Sequence, residues 1–463
     1  MNFKRQEGLH RFFQDQDKQE PSSFVRLIDK QKEIIKKLDD VDYLFKPEFA
    51  SFVNFSQSKN TPIHRWFKYR EGYSPGLVHA FLDANEKIVL DPFCGSGTTL
   101  VCAKQKGINS VGVDVNPLST FVSRVKTYQF TRKDLIELKE LSRNILIANV
   151  EPDDPPKLRI IKKVFPDDIL DYMLRLKVKI NSVVNNKLRD TLFLGWLAIL
   201  ESVSNTKKEG NGIKYRSTRR TKNGYVHIPD SVWQREYYGK DKLGFVRKKI
   251  QSQFHSMLRD IENYCINLPE ISTEIFTNDS TQLRNILNEE KFSLVIFSPP
   301  YANCFDYFEI FKVELWMGDF IESYEDIRKL RKKSIGTLWQ ELPSHGMNLE
   351  ELNEILNLFE ERKMWDKKII SMLVGYFSNM EAVLRQIYDI LMPNRKCVIV
   401  VGNSAYSNVL IPTDLLLSKI GKEVGFEKAK LIIARHLTTS SQQKKKLEQL
   451  RNYLRESVIV LEK

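Results

Sequence analysis

EKIVLDPFCGSGTTLVCAKQKGINSVGVDVNP, residues 86–117, reads as strand, glycine turn, helix and second strand. IVLD is a short apolar run, TTLVCAKQK has helical spacing, Gly107 stops it, and SVGVD alternates out again. That is a βαβ unit, the building block of a parallel sheet covered by helices. Gly95 and Gly97 sit where the first strand turns into the helix; lacking Cβ atoms, they can take positive φ and let a ligand approach the backbone. Asp114, nineteen residues beyond Gly95, ends the second strand, where a carboxylate can accept both ribose hydroxyls of a nucleoside. Together they point to an adenosine-containing cofactor. No Gly-Lys-Ser/Thr follows, so the turn is not a P-loop, and Leu100 replaces the third glycine of a dinucleotide fingerprint. Asp91, at the carboxyl end of the first strand, is placed either to receive a positively charged group of the cofactor or to cap the turn.

Outward from this unit, the chain of 463 residues, 42% hydrophobic, is long enough for a large core with added regions. No stretch approaches roughly 18 uninterrupted apolar residues, and the first twenty are charged, so a cytoplasmic protein without membrane contact is expected. The five cysteines form no Cys-x-x-Cys pair, and the histidines are unpaired at metal spacing, so no metal site is expected. A net charge of +13 invites a polyanion.

FSPPYANCFDY, residues 297–307, marks the second site. The buried run LVIF brings Ser298, Pro299, Pro300 and Tyr301 to the carboxyl end of a strand, where open α/β sheets place ligands. Two prolines fix φ and remove backbone donors, leaving carbonyl acceptors in a stiff arrangement. Ser298 adds an acceptor and Tyr301 a flat face, which is what an exocyclic base amine needs.

DPFCGSGTT, VDVNP and SPPY in this order resemble the DNA amino-methyltransferases, which use S-adenosylmethionine. The resemblance covers about half the chain; Ser-Pro-Pro-Tyr is similar to cytosine-N4 members, and Asp-Pro-Pro-Tyr goes with adenine-N6. It implies an α/β, Rossmann-like methyltransferase fold with a mostly parallel seven-stranded sheet flanked by helices, plus inserted helical and recognition regions. It also implies a cofactor set of Asp91, Phe93, Gly95, Ser96, Gly97, Thr98, Asp114 and Asp279, a segment at 64–78 enclosing the methionine end, and a base-pocket wall near Asn403. The expected division is an N-terminal helical extension (1–60), a cofactor-binding part (61–130), an inserted helical and basic target-recognition region (131–270) and a catalytic part (271–463). A second insertion falls at about 310–370 of the last part.

Double-stranded DNA is the expected partner, with a restriction endonuclease acting separately. A base amine hidden in a duplex has to be flipped out, with phosphate contacts supplying affinity. Lys214, Arg216, Arg219, Arg220 and Lys222, interleaved with Tyr215, Tyr225, Trp233, Tyr237 and Tyr238, form the basic, aromatic candidate surface, with glycines 210, 212 and 224 suggesting loops. Adenine-N6 specificity, an RNA base substrate and a non-catalytic binding protein are the competing readings. Cytosine-C5 chemistry is disfavoured because no Pro-Cys occurs.

Overall fold

Alternating strands and helices in the computed structural model build a Rossmann-like α/β fold. It describes residues 21–70, 72–210, 212–221, 224–287, 290–342, 348–360, 362, 364, 366–437 and 447–463, with side chains from residue 25. The chain forms two compact units, one of residues 1–53, 280–305 and 332–463, the other of residues 54–279 and 306–331.

In the second unit, the strands Ile88–Asp91, Asn109–Asp114 and Thr273–Thr277 pair in parallel, in that order. The glycine turn and the helix Thr98–Gln105 connect the first two. Gly112 lets that helix pack closely, since a Cβ there would lie 2.6 Å from Leu100 Cδ1. The inserted region is helical through Asp167–Asn181 and Asn186–Ile199, then turns into two hairpins. One joins Thr206–Glu209 to Gly212–Tyr215, the other Thr218–Thr221 to Gly224–His227. Strands thus replace the loops expected there: the glycines punctuate short strands, with φ of +58° at Gly210 and +117° at Gly224.

Five strands of the first unit pair in the order Asp42–Phe45, Lys428–His436, Arg455–Glu462, Leu391–Gly402, Phe292–Phe297, and Ser404–Tyr406 and Val409–Ile411 form a separate hairpin. Arg455–Glu462 runs antiparallel to both neighbours, and the two outer pairings are parallel. Together with the three parallel strands of the second unit these five make eight, one more than the seven expected. Asp42–Phe45 is the unforeseen one; its four side chains are all exposed, so it carries no alternation to read. Among the described residues no helix is long and apolar enough to cross a membrane, and no cluster of three metal-ligating side chains occurs.

Candidate active site

Strand Ile88–Asp91 delivers Asp91, buried at 1% exposure, to the start of the glycine turn. Its carboxylate accepts from Tyr73 Oη at 2.7 Å and from the Phe93 amide at 3.1 Å. Burial pushes its pKa up to about 7, with the Tyr73 hydrogen bond pulling the other way. Gly95 and Gly97 both have positive φ, +49° and +78°. A Cβ on Gly97 would stand 3.0 Å from the Ser123 backbone, and one on Gly95 3.1 Å from the Tyr69 ring. Tyr69 is itself held, stacked on Phe311 with ring centres 5.0 Å apart.

Asp114 closes the turn from the next strand. One carboxylate oxygen accepts from the Gly95 amide at 2.9 Å and the other from the Asn116 amide at 2.8 Å. A carboxylate has about four acceptor positions, so one lone pair on each oxygen stays available for a diol. Burial raises Asp114 to about 6 against these two amides. Ser96, Thr98 and Phe93 lie half-buried along the same turn, and Asp279 stands half-buried two residues beyond Thr273–Thr277. Sequence reasoning missed Lys126: its buried ammonium donates to the carbonyls of Ser96, 3.1 Å, and His64, 3.2 Å, tying the turn to the 64–78 segment. A lysine in an amphipathic helix carries no signal of such a role.

In the other unit, strand Phe292–Phe297, buried at every position, ends at Ser298. Ser298 Oγ donates to the Val400 carbonyl at 3.1 Å, which engages its only hydrogen and leaves oxygen lone pairs as acceptors. Tyr301 lies against Gly402, where a Cβ would come 2.8 Å from the ring, and its hydroxyl donates to Glu456 at 3.4 Å. The Ala302 carbonyl accepts from Ser404 and Tyr406, at 2.7 and 2.8 Å, fixing the loop. Cys304, pushed up to about 11 by burial, is a thiol and not a nucleophilic thiolate. Asn403 is buried; its amide donates to Asp414 and the Tyr453 carbonyl and accepts from the Asp414 amide, so its polar groups serve the fold.

The basic insertion divides by geometry. Arg216 lies over Tyr237 and donates to the carbonyls of Ser204 and Glu201, an architectural use. Trp233 and Tyr238 are buried together in an aromatic cluster. Lys214 and Arg219 stay exposed, paired with Glu209 at 3.1 Å and Glu236 at 2.6 Å. Arg220, Tyr215 and Tyr225 line a cavity of about 550 Å³ between the hairpins. Lys222 lies outside the described residues.

The DNA methylase family model for N6/N4 methyltransferases matches residues 77–119, which hold the glycine turn, Asp91 and Asp114. The Type II methyltransferase M.BsoBI of Geobacillus stearothermophilus is 28% identical over 89% of this chain and 87% of its own. Type II methyltransferase M.AvaI of Nostoc is 27% identical over 90% of each, and M.MvaI of Kocuria varians 22% over 86% and 87%. The chain is therefore similar to the amino-methyltransferases, at the glycine turn and over most of its length. S-adenosylmethionine is its methyl donor.

The turn fits that donor. Two glycines with no room for Cβ leave the backbone open to a nucleoside, Asp114 keeps acceptors for a ribose, and Asp91 is a buried carboxylate without a cationic partner among the described residues. Bound there, S-adenosylmethionine supplies an electrophilic methyl group on sulfur. The protein's part there would be to hold and orient; direct transfer from a sulfonium requires no acid or metal.

Proposed function

We propose that this protein is a site-specific DNA methyltransferase that modifies the exocyclic N4 amine of a flipped cytosine in duplex DNA. The observation that carries this reading is the acceptor character of the Ser298 loop. With its hydrogen on Val400, Ser298 Oγ accepts one amine hydrogen, and the carbonyls around Pro299 and Pro300, where no amide competes, accept the other. Held this way the nitrogen lone pair leaves conjugation with the ring and becomes nucleophilic, while Tyr301 offers the base a stacking face. The serine supports N4 over N6 by its resemblance to cytosine-N4 members. Glycine turn, Asp91, Phe93, Ser96, Thr98, Asp114 and Asp279 hold the methyl donor.

Lys214, Tyr215, Arg219, Arg220 and Lys222 contact the DNA backbone. For Lys214 and Arg219 the exposed pairs with Glu209 and Glu236 are worth about 0–1 kcal/mol each, so a phosphate exchanges for them readily. The Type II relatives support a place in a restriction-modification system, with a nuclease on a separate chain. The test is nucleoside mass spectrometry of mixed-sequence duplex DNA incubated with the protein and S-adenosylmethionine labelled in its methyl group. Labelled N4-methylcytosine is expected. Labelled N6-methyladenine would keep the mechanism and reassign the base, and absence of label from DNA would refute the proposal.

A further inference from the structure

The cavity between the two hairpins of the basic insertion combines charge with aromatic rings. At about 550 Å³ it falls within the roughly 300–1,000 Å³ of pockets that take a small ligand. Trp233 and Tyr237 line it as fixed surfaces. Trp233 Nε1 donates to Asp230 at 2.9 Å, and Tyr237, under Arg216, donates through its hydroxyl to the Ser202 carbonyl at 2.8 Å. Tyr215, half-buried in the same lining, differs from them. Among the described residues its side chain makes no hydrogen bond and no ring contact, so its face is not committed to another aromatic or cationic group.

The charges of the lining are unbalanced. Lys207, Lys214, Arg216 and Arg220 stand against Glu209 and Glu236. Both carboxylates are already taken. Glu209 accepts Lys207 at 2.9 Å and Lys214 at 3.1 Å, which hold it down to about 2, and Glu236 accepts Arg219 at 2.6 Å. Lys207 and Lys214 lie directly opposite each other across the first hairpin. Like charges so placed destabilise a hairpin, and a single glutamate offsets only one of them. In the second hairpin Arg220 lies opposite Tyr225, another residue of the lining, and among the described residues it has no carboxylate at ion-pair distance. The fold itself makes no use of this excess of positive charge.

A phosphate alone needs neither the recess nor the rings, since an exposed lysine meets it as well. In a stacked duplex the bases show their edges in the grooves and hide their faces. A ring inside a cavity therefore meets a base face only where that base has left its stack. Base on aromatic ring with backbone on a basic groove is how unpaired nucleic acid is held. We propose that the cavity binds one unstacked nucleotide of the DNA, its base against Tyr215 and Tyr225 and its phosphate on Arg220. The assignment rests on the reading of DNA as the substrate, and it adds to the Ser298 loop a second place where a base is held outside the helix.

Fluorescence anisotropy with a labelled oligothymidylate, and with an abasic strand of equal length and charge, tests this. Tyr215→Ala is expected to weaken oligothymidylate binding roughly tenfold or more, as loss of a stacking ring does, and to leave the abasic strand unchanged. Tyr215→Phe keeps the ring and should bind as the wild type does. Tyr225→Ala should show the same selective loss and carries the test if Tyr215→Ala does not fold. Arg220→Ala should weaken both strands alike, because both carry the phosphates. Equal losses on the two strands for Tyr215→Ala would make that tyrosine a backbone contact only and overturn the proposal, as would no loss on either. Wild-type protein that binds a mixed-sequence duplex but neither single strand would overturn this proposal alone. Protein that binds no DNA at all would overturn the substrate reading, and this proposal with it.

Discussion

Gly97 combines a positive φ with a contact on the Ser123 backbone, so it tolerates no side chain. Gly97→Ala is expected to abolish saturable S-adenosylmethionine binding by calorimetry, while circular dichroism stays helical. Ser298→Ala should act elsewhere, lowering kcat by roughly ten- to hundredfold, as loss of an oriented hydrogen bond does, with cofactor affinity unchanged. Comparable loss of cofactor affinity in both variants would refute the division of roles. Asp91 adds a pH dependence. Raised to about 7, it is largely protonated below neutrality and ionised above it. A cationic ligand group needs the ionised form, so S-adenosylmethionine affinity should rise from pH 5.5 to 7.5. Asp114, raised only to about 6, contributes the lower part of that rise. Asp91→Asn should therefore remove the upper part of the slope. The same raised pKa disfavours the ionised folded state, so Asp91's contribution to stability falls between its unfolded value near 4 and 7 as pH rises. These residues are legible in the sequence because turn chemistry is local. The positive φ of Ile63, +67°, is not, since nothing about isoleucine announces it and Asp260, whose carboxylate accepts from the Ile63 amide at 2.9 Å, lies 197 residues away.

At the level of elements, the βαβ unit and the buried strands are readable from periodicity alone, as apolar runs bounded by glycine and proline. The two hairpins of the basic insertion are not; their strands are four residues long and largely exposed, so charge and aromatic content dominate the pattern. The structure separates residues that the sequence lumps together. Arg220→Ala should weaken duplex binding and reduce the slope of log affinity against log salt by about 1, as one released counterion requires. Arg216→Ala should instead lower the thermal midpoint, because its guanidinium joins Tyr237 to the carbonyls of Ser204 and Glu201. A salt slope altered by Arg216→Ala and not by Arg220→Ala would reverse the assignment. In the other unit the buried Asp414 accepts from Arg455, Ser457 and Asn403. Asp414→Ala leaves Arg455 buried and unpaired, and urea unfolding should show a loss of about 3–5 kcal/mol.

Across the whole molecule, the two units are woven from a chain that leaves the first at residue 53, re-enters at 280, leaves at 305 and returns at 332. Composition and charge read this scale only coarsely: +13 indicates a polyanion, but contiguity in sequence gives no hint of such interleaving. The strand Arg455–Glu462 lies between Lys428–His436 and Leu391–Gly402, pairing with both. During synthesis, therefore, the residues from 54 to 331 emerge with everything their unit needs, whereas the Ser298 loop waits for its support. Glu456, which meets Tyr301, sits on that late strand. A ribosome stalled before residue 455 would display a nascent chain able to form its glycine turn, with the Ser298 loop still lacking the strand that supports it, so on the proposed roles methylation begins only once translation has passed that point.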